Sequence, residues 1–297
     1  MPNLRSLRAY ALVMEEGSLA AAAARMNLSQ SAASRLISQL EETHGIALFQ
    51  RRNRRLTPTP AAEAFYPDAV RILGEVGEVP RLLAEAAEGT RPALRILCHP
   101  RVVPGIVVPA IARLAATRPD IRTSLTVAPR QNLARRILSA GFDIGVGALP
   151  VPAESVQVET LCHARVAALL PRSHPLAERT VLHFPALEGL PYIALDRSTV
   201  LRRAVDEALR REGMTFRPAH EVSTGSAAYR LVAEGIGFTF VDPIAMEPEL
   251  ADRVSRIPLA ADIRIEIGLF RPIEDRHEGA GAMAEVLRAT AARVGGI

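Results

Sequence analysis

The chain of 297 residues contains no Lys, no Trp and only two Cys, and aromatic side chains make up 4% of it. So few cysteines exclude a disulfide-stabilised scaffold and are typical of a reducing compartment. Without Lys, the phosphate-binding Gly-Lys-Ser/Thr loop is excluded as well. No apolar run reaches the about 20 residues that span a bilayer; the longest, 102–116, is interrupted by Pro104, Pro109 and Arg113. Nothing resembles a secretory signal, so we expect a cytoplasmic protein without a membrane segment.

Motifs of common enzyme classes are also missing. Residues 145–147 and 235–237 are Gly-x-Gly pairs that lack the third glycine of a dinucleotide-binding fingerprint. There is no Gly-x-Ser-x-Gly elbow of the kind that presents a hydrolase nucleophile. The sequence therefore predicts neither an enzyme nor a cofactor, and the alternative is an enzyme of small acids that carries an additional domain.

The length and the 48% hydrophobic content are sufficient for two domains with real cores. The net charge of +4 is unevenly distributed along the chain. Residues 1–60 hold eight Arg against four Glu, whereas residues 61–91 hold three Arg against six acidic residues. The basic N-terminal end favours a contact with nucleic-acid phosphates there.

The segment 18–42 is predicted to form two short helices joined by a turn. Ser29 stands where an N-cap is expected, directly before the second helix. In that helix Ala33, Leu36 and Leu40 recur at intervals of three and four, which gives one apolar stripe. The opposite face carries short hydrogen-bonding groups and one guanidinium, which suit base edges and phosphates in a major groove. The predicted DNA contacts of this helix are Ser29, Gln30, Ser31, Ser34, Arg35 and Ser38.

An ordinary surface hairpin of two helices is the alternative, because many polar helix faces are only solvated. The neighbouring sequence argues against it, since four arginines fall within residues 51–55, directly before the turn-forming, proline-limited stretch 56–60. This arrangement is typical of a β-wing that reaches DNA phosphates, which add affinity without sequence information. The predicted phosphate contacts are Arg51, Arg52, Arg54 and Arg55.

The segment from Leu4 to Phe65 resembles the winged helix-turn-helix of LysR-type transcriptional regulators. The resemblance is carried by residues 4–7, 16–20, 23–24, 28–30, 33–35, 37, 40–41, 45, 48–49 and 51. Ser31 stands where the family usually has Pro, and Ala62 where it usually has Gly. By length and layout the rest of the chain fits the same family. The resemblance implies a sequence-specific regulator that a small-molecule effector controls, with double-stranded promoter DNA, RNA polymerase and further copies of itself as partners, as a homodimer or homotetramer.

After the wing, apolar residues recur with alternating spacings of four and three, which is a heptad seam. The seam consists of Phe65, Ala69, Ile72, Val76, Val79 and Leu83. Pro67 and Pro80 lie within it but off the seam, and we expect bends at or near them. The pattern predicts a dimerising linker helix, because a helix-turn-helix usually reads a palindrome as a dimer. The alternative is a helix that packs on its own chain.

Beyond residue 92, short apolar strands such as Leu94 to Cys98 alternate with helical segments such as Val200 to Arg211. This order predicts a mostly parallel sheet. The family resemblance implies two subdomains that share two crossing strands, as in periplasmic solute-binding proteins. The expected fold class is α/β with an N-terminal all-α winged helix-turn-helix, a linker helix and two such α/β subdomains. The expected domains are 1–58, 59–91 and 92–297, the last divided into subdomain I (92–161 and 268–297) and subdomain II (162–267).

In open α/β sheets, ligands bind beyond the carboxyl ends of the strands, where helix N-termini present free amides. The hydroxyls of Ser198, Thr199 and Thr224 suit a carboxylate there, and Arg101 or Arg130 adds a charge-assisted contact. The alternative for the three hydroxyl residues is that they are only N-caps. The predicted effector contacts are His99, Pro100, Arg101, Arg130, Ser198, Thr199, Thr224 and Asp242.

Asp242 follows an expected strand, and its carboxylate suits an amino or guanidino group of a ligand. The alternative is that it only caps the turn at Pro243. If the hydroxyl residues bind a carboxylate and Asp242 binds a cation, we expect the effector to be an amino acid or a derivative. If only the carboxylate is bound, we expect a plain organic or aromatic acid.

Two Cys-His pairs, at residues 98–99 and 162–163, do not predict a metal site. Adjacent strand residues face opposite ways, and a spacing of 64 residues matches no compact zinc pattern. We expect buried, reduced thiols. The alternative is a thiol-sensing regulator that uses Cys98.

Overall fold

The computed structural model describes residues 3–52, 55–89, 91–139, 141–152, 156–273 and 277–295. The chain forms two compact units. One comprises Met1–Thr90 with Arg135–Gly141, and the other comprises Arg91–Ala134 with Phe142–Ile297.

The N-terminal unit begins with three helices and a two-stranded wing. These elements are α1 (Leu4–Glu16), α2 (Leu19–Arg25), α3 (Gln30–His44), β1 (Phe49–Arg52) and β2 (Arg55–Pro58). Each helix opens on a side-chain cap, in which Asn3, Ser18 or Ser29 accepts a hydrogen bond from a first-turn amide. Gly17 and Gly45 end α1 and α3 at φ angles of 61° and 66°, a left-handed conformation that favours glycine. Local sequence thus sets both ends of α1 and α3.

The core of this unit is centred on Tyr10, which is fully buried. Its ring lies 5.9 Å from that of Phe49 and 5.6 Å from that of Phe65, and its hydroxyl donates to the carbonyl of Ala62. The carboxylate of Glu41 accepts hydrogen bonds from the first two amides of the wing segment, at 2.8 and 3.0 Å. These contacts fix the wing against α3.

A single helix follows the wing: α4 (Pro60–Glu88), which continues through Pro67 and Pro80. Its first half packs on the preceding helices, and Ala62 and Ala69 are fully buried. Its second half exposes the remaining seam residues, Val76, Val79 and Leu83. The predicted heptad seam is therefore used by the chain's own core in its first half and is left uncovered in its second.

The second unit contains a five-stranded mixed sheet, so the prediction of a mostly parallel sheet is wrong, because the returning strand Arg264–Pro272 runs antiparallel to its neighbours. Its strands are β3 (Leu94–Cys98), β4 (Thr123–Val127), β5 (Ile144–Ala148), β6 (Val156–Arg165) and β12 (Arg264–Pro272). The order across the sheet is β4-β3-β5-β12-β6. β3 pairs in parallel with β4 and β5, and β12 pairs antiparallel with β5 and β6. The helices of this part are α5 (Val108–Thr117), the first half of α6 (Arg130–Leu138) and α9 (Ala280–Gly295), and residues 135–138 of α6 belong to the N-terminal unit.

A second group of strands completes this unit. They are β7 (Ala167–Pro171), β8 (Tyr192–Leu195), β9 (Pro218–Val222), β10 (Thr239–Val241) and β11 (Val254–Pro258). Its helices are α7 (Val200–Arg211) and α8 (Gly225–Ala233). β7 pairs antiparallel with β10 and β11, and β8 pairs in parallel with β9. The paired strands β6 and β12 connect the five-stranded sheet to β7 and β11 of this group, as the family resemblance implied for the crossing strands.

We expected no segment capable of spanning a membrane, but the stretch Pro100–Thr117 has the length and apolar composition of a membrane-spanning helix. It is not a single α-helix, because a 3₁₀ turn (Pro100–Val102) and a π-helical turn (Val103–Val107) precede α5. Ile106 and Leu114 on its inner face belong to the buried core of the second unit. Packing in this core accounts for the apolar composition of that face.

Candidate DNA-binding face and effector cleft

The outer face of α3 is polar and accessible. Ala33, Ile37 and Leu40 are buried on its inner face, so Ile37 takes the place predicted for Leu36, which is only half-buried. Ser34 is half-buried, and the other predicted contacts of this helix are exposed: Ser29, Gln30, Ser31, Arg35 and Ser38.

The guanidinium of Arg35 forms no ion pair with any acidic side chain in the described part of the chain. Ser29 is the N-cap of α3, and its hydroxyl accepts from the Ala32 amide at 3.2 Å. Ser29 also lies 3.0 Å from the hydroxyl of Ser31, measured between the oxygens. The face therefore presents one unpaired guanidinium beside short hydroxyl side chains.

The wing is an antiparallel hairpin in which Arg52 lies opposite Arg55. Arg51 and Arg52 belong to β1, and Arg55 opens β2. Arg54 and the side chains of the other three arginines lie outside the described residues. Their contacts with phosphates stay a prediction.

Within the second unit, a cleft of about 540 Å³ gathers seven of the eight predicted effector contacts. They are His99, Pro100, Arg101, Arg130, Ser198, Thr199 and Thr224. Sequence reasoning missed other lining residues, of which the most polar are Ser226, Tyr229 and Glu247. The cleft thus combines loops that are up to about 150 residues apart in the sequence.

Helices α7 and α8 begin at this cleft. Thr199 caps α7, where its hydroxyl accepts from the Arg202 amide at 3.3 Å and donates to the Asp196 carbonyl at 2.8 Å. Thr224 caps α8 in the same way through the Ala227 amide, at 3.4 Å. The predicted alternative role of these threonines as N-caps is therefore observed. It leaves the first amides of each helix, and the positive end of each helix dipole, available to an anion.

Asp242 lies beneath the cleft and does not line it. Its side chain is fully buried and forms an ion pair with the guanidinium of Arg101, which is 6% exposed. The second carboxylate oxygen accepts from the amides of Ile244 and Ala245, both at 3.0 Å. Both oxygens are thus bound within the protein, which differs from the predicted pairing with a ligand cation. The physical reason is that a buried guanidinium requires a counter-charge.

His99 is a neutral donor at the edge of the cleft. Burial lowers the pKa of His99 to about 4, and the neighbouring guanidinium groups of Arg101 and Arg130 add to the effect. Its Nδ1 accepts from the Arg101 amide at 3.4 Å, so the ring proton resides on Nε2.

Arg130 opens α6 and donates to the carbonyls of Ala148 and Pro150, at 3.3 and 3.0 Å. Burial and the charge of Arg203 lower its pKa. No acidic side chain within the described ranges pairs with it. Glu247 reaches the cleft and pairs with Arg230 at 3.1 Å. Arg101 and Glu247 are both neutralised, and Arg130 contributes the uncompensated positive charge.

Two family descriptions match this chain. Residues 4–63 match the bacterial regulatory helix-turn-helix protein of the lysR family, and residues 87–292 match the LysR substrate binding domain. The chain belongs to the LysR family. It is therefore a DNA-binding transcriptional regulator with an effector-binding domain, and the predicted family and fold class are confirmed.

Relatives of this LysR-family chain support the assignment along its length. It is 30% identical to regulatory protein NocR of Agrobacterium fabrum over 83% of this chain and 82% of NocR. It is 29% identical to the octopine catabolism/uptake operon regulatory protein OccR of Rhizobium meliloti over 82% of this chain and 80% of OccR.

Solved structures share the fold. A Corynebacterium glutamicum OxyR C206 mutant superimposes with a TM-score of 0.61 at 22% identity, covering 100% of this chain and 93% of that one. Full-length CbnR in complex with its target DNA gives a TM-score of 0.56 at 21% identity, covering 97% and 99%.

The two thiols of this LysR-family regulator are poor nucleophiles. Burial raises the pKa of Cys98 to about 12. Burial, and to a lesser extent Asp242, raises the pKa of Cys162 to about 11. Oxidants react with the thiolate rather than the thiol. Both groups are protonated near neutral pH, which argues against the thiol-sensing alternative. Among the described residues, no cluster of three or more His, Cys, Asp or Glu is placed to hold a metal.

Proposed function

We propose that a metabolite carrying a carboxylate binds in the cleft and controls DNA binding by this regulator. The observation that carries the proposal is the convergence on one cleft of two helix N-termini and the unpaired charge of Arg130. Helix N-termini attract anions through their free amides and dipoles. The neutral Nε2–H of His99 adds a further donor to an oxygen of the ligand.

An amino acid or a derivative is the effector class that we favour, ahead of a plain organic or aromatic acid. Glu247 supports this choice, because its carboxylate reaches the cleft and its partner Arg230 is 66% exposed. Exposed ion pairs are weak, so a ligand ammonium group competes for this carboxylate. Octopine, which appears in the name of the relative OccR, is itself an amino-acid derivative.

On the DNA side, we propose that the exposed face of α3 reads bases and that the wing arginines bind phosphates. The uncovered apolar residues in the second half of α4 support pairing with a second copy of the chain. The dimer, or a homotetramer built from it, places several copies of α3 on promoter DNA. An effector that binds one assembly state better than another then shifts their populations and changes the contact with RNA polymerase. We place this activity in the cytoplasm and propose binding without turnover.

The direct test is a melting-temperature screen of the full-length chain against small carboxylic acids and amino acids, each compared with its carboxamide. A ligand at one hundred times its Kd stabilises the native state by about 2.7 kcal/mol. We expect individual acids to raise the melting temperature and their amides to leave it unchanged. Equal shifts by acids and amides, or no shift by any acid, would contradict the proposed effector class.

A further inference from the structure

Tyr229 lines the effector cleft with a hydroxyl that the protein itself does not use. Its side chain is 2% exposed, and burial raises its pKa well above the usual value, so the hydroxyl keeps its proton. The hydroxyl makes no hydrogen bond with any residue that the structure describes. Its oxygen is not completely enclosed by protein atoms, so a ligand in the cleft can reach it. A buried polar group without a partner costs stability, and native proteins keep few of them.

Gly225 shows where this hydroxyl lies. A Cβ atom built on Gly225 would fall 2.8 Å from the Tyr229 hydroxyl oxygen and 3.0 Å from the ring carbon that bears it. Gly225 is the first residue of α8. The hydroxyl therefore lies over the opening turn of the helix, at the same end that faces the cleft, and a side chain at position 225 would displace it.

The opening turn of α8 adds two further donors. The Thr224 hydroxyl satisfies the amide of Ala227. The amides of Gly225 and Ser226 precede the first intrahelical hydrogen bond, and no acceptor binds them in the described part of the chain. Both residues line the cleft, as Tyr229 does. Two amide protons and one hydroxyl proton thus meet at one end of the cleft.

We propose that the amides of Gly225 and Ser226 and the hydroxyl of Tyr229 form a subsite for one carboxylate of the effector. Tyr229 is then the residue that determines specificity for the acid. The proposal rests on the proposed function and locates the carboxylate at α8 rather than α7. Arg101, whose charge opposes the rise in the pKa of Tyr229, is already neutralised by Asp242. The subsite therefore suits a singly charged carboxylate better than a dianion such as phosphate.

The test uses the full-length chain and three matched probe pairs: acetate with acetamide, benzoate with benzamide, and L-arginine with L-argininamide. Calorimetry measures their binding to the wild type and to Tyr229→Phe. Hydrogen bonds to charged groups are among the stronger ones, so we expect the variant to bind an acid about 10 to 100 times more weakly. The amide of the same pair should bind both proteins alike. Gly225→Ala, which displaces the hydroxyl, should lose affinity for the acid in the same direction.

Tyr192→Phe is the matched control, since Tyr192 is 3% exposed, packs among aromatic rings and does not line the cleft. We expect it to bind the acid as the wild type does. Without ligand, Tyr229→Phe should melt at the same temperature as the wild type or higher, because it removes a hydroxyl that lacks a partner. A merely structural tyrosine would instead lower the melting temperature.

The outcomes separate this proposal from the proposed function. If an acid binds the wild type and binds Tyr229→Phe equally well, the subsite is wrong and the effector class stands. If Tyr192→Phe loses as much affinity as Tyr229→Phe, the loss is structural and the subsite is wrong. If inorganic phosphate binds as tightly as the best acid, a general anion site replaces the carboxylate subsite. If none of the acids binds the wild type, both proposals fail together.

Discussion

The outer face of α3 and the effector cleft are built in opposite ways. The predicted contacts of α3 all fall within residues 29–38, and one helix presents them. The cleft is lined by residues from His99 to Glu247, which lie in loops after strands and at the beginnings of helices. Helical periodicity therefore predicts which side chains the outer face of α3 presents, although the contacts of these side chains with DNA stay a prediction. The cleft can be predicted only to the level of loops, because its geometry depends on how distant strands pair.

The arginines of the two sites differ in their exposure and in whether an acidic side chain pairs with them. Arg35 is exposed and unpaired within the described structure, so its guanidinium is available to DNA. Arg101 is buried and bound to Asp242, 141 residues further along the chain. One arginine is ready to act on a partner molecule, and the other holds two parts of its own domain together. An arginine at a predicted site therefore needs its counter-charge identified before it is assigned to a ligand.

The largest effect is expected from Asp242→Asn, which tests whether Asp242 is structural. The substitution keeps an oxygen for the amides of Ile244 and Ala245 but leaves the Arg101 charge buried without its partner. Breaking a buried pair in this way costs about 3 to 5 kcal/mol. Urea unfolding of the full-length chain should show a loss in free energy of unfolding of this size.

Asp262→Asn provides the matched control for that experiment. Asp262 is exposed and pairs with Arg264 at 3.0 Å. Surface pairs contribute little, so this variant should unfold as the wild type does. Equal stability of both variants, together with weaker effector binding by Asp242→Asn, would return Asp242 to the ligand-binding role predicted from the sequence.

The second prediction concerns the arginines of the DNA-binding unit. Arg35→Ala should weaken binding to the operator by about 1 to 3 kcal/mol if the guanidinium reads a guanine. Arg54→Ala, at a position outside the described residues, should weaken binding to all sequences alike and reduce the salt dependence. Mobility-shift titrations at several salt concentrations, on operator and random DNA, separate these effects. Equal losses on both DNAs for both variants would contradict the assigned roles.

Much of the fold follows from sequence pattern, with failures that have physical causes. The buried strand Leu94–Cys98 and the helix Val200–Arg211 form where the pattern predicts them. The strand Pro218–Val222 was not predicted, because four of its five residues are exposed and its sequence shows no apolar alternation. The predicted linker helix is observed, and α4 runs through both prolines as one helix to Glu88. The bends expected at or near the prolines stay a prediction.

The effector cleft shows where sequence reasoning about a site stops. Thr199 and Thr224 were predicted because caps directly before helices leave a local signal. Tyr229 leaves no such signal, since a large aromatic residue within an amphipathic helix is indistinguishable from a core residue. Glu247 lies in a loop without a pattern, and its approach to the cleft depends on how the chain turns after β10. Only the folded structure brings these two side chains to the cleft.

The smallest effect concerns His99 and the pH dependence of stability. Its folded-state pKa of about 4 lies below the usual value near 6.5. Between these values the unfolded chain binds a proton that the folded chain does not, so acidification favours unfolding. The stabilisation is fully present above pH 6.5 and is lost as the pH falls toward 4. His99→Gln should flatten this part of the pH profile, measured by urea unfolding of the full-length chain beside the wild type. An unchanged slope in His99→Gln would show that the ring is already charged in the cleft, and the cleft would then hold one more positive charge to offer an anion.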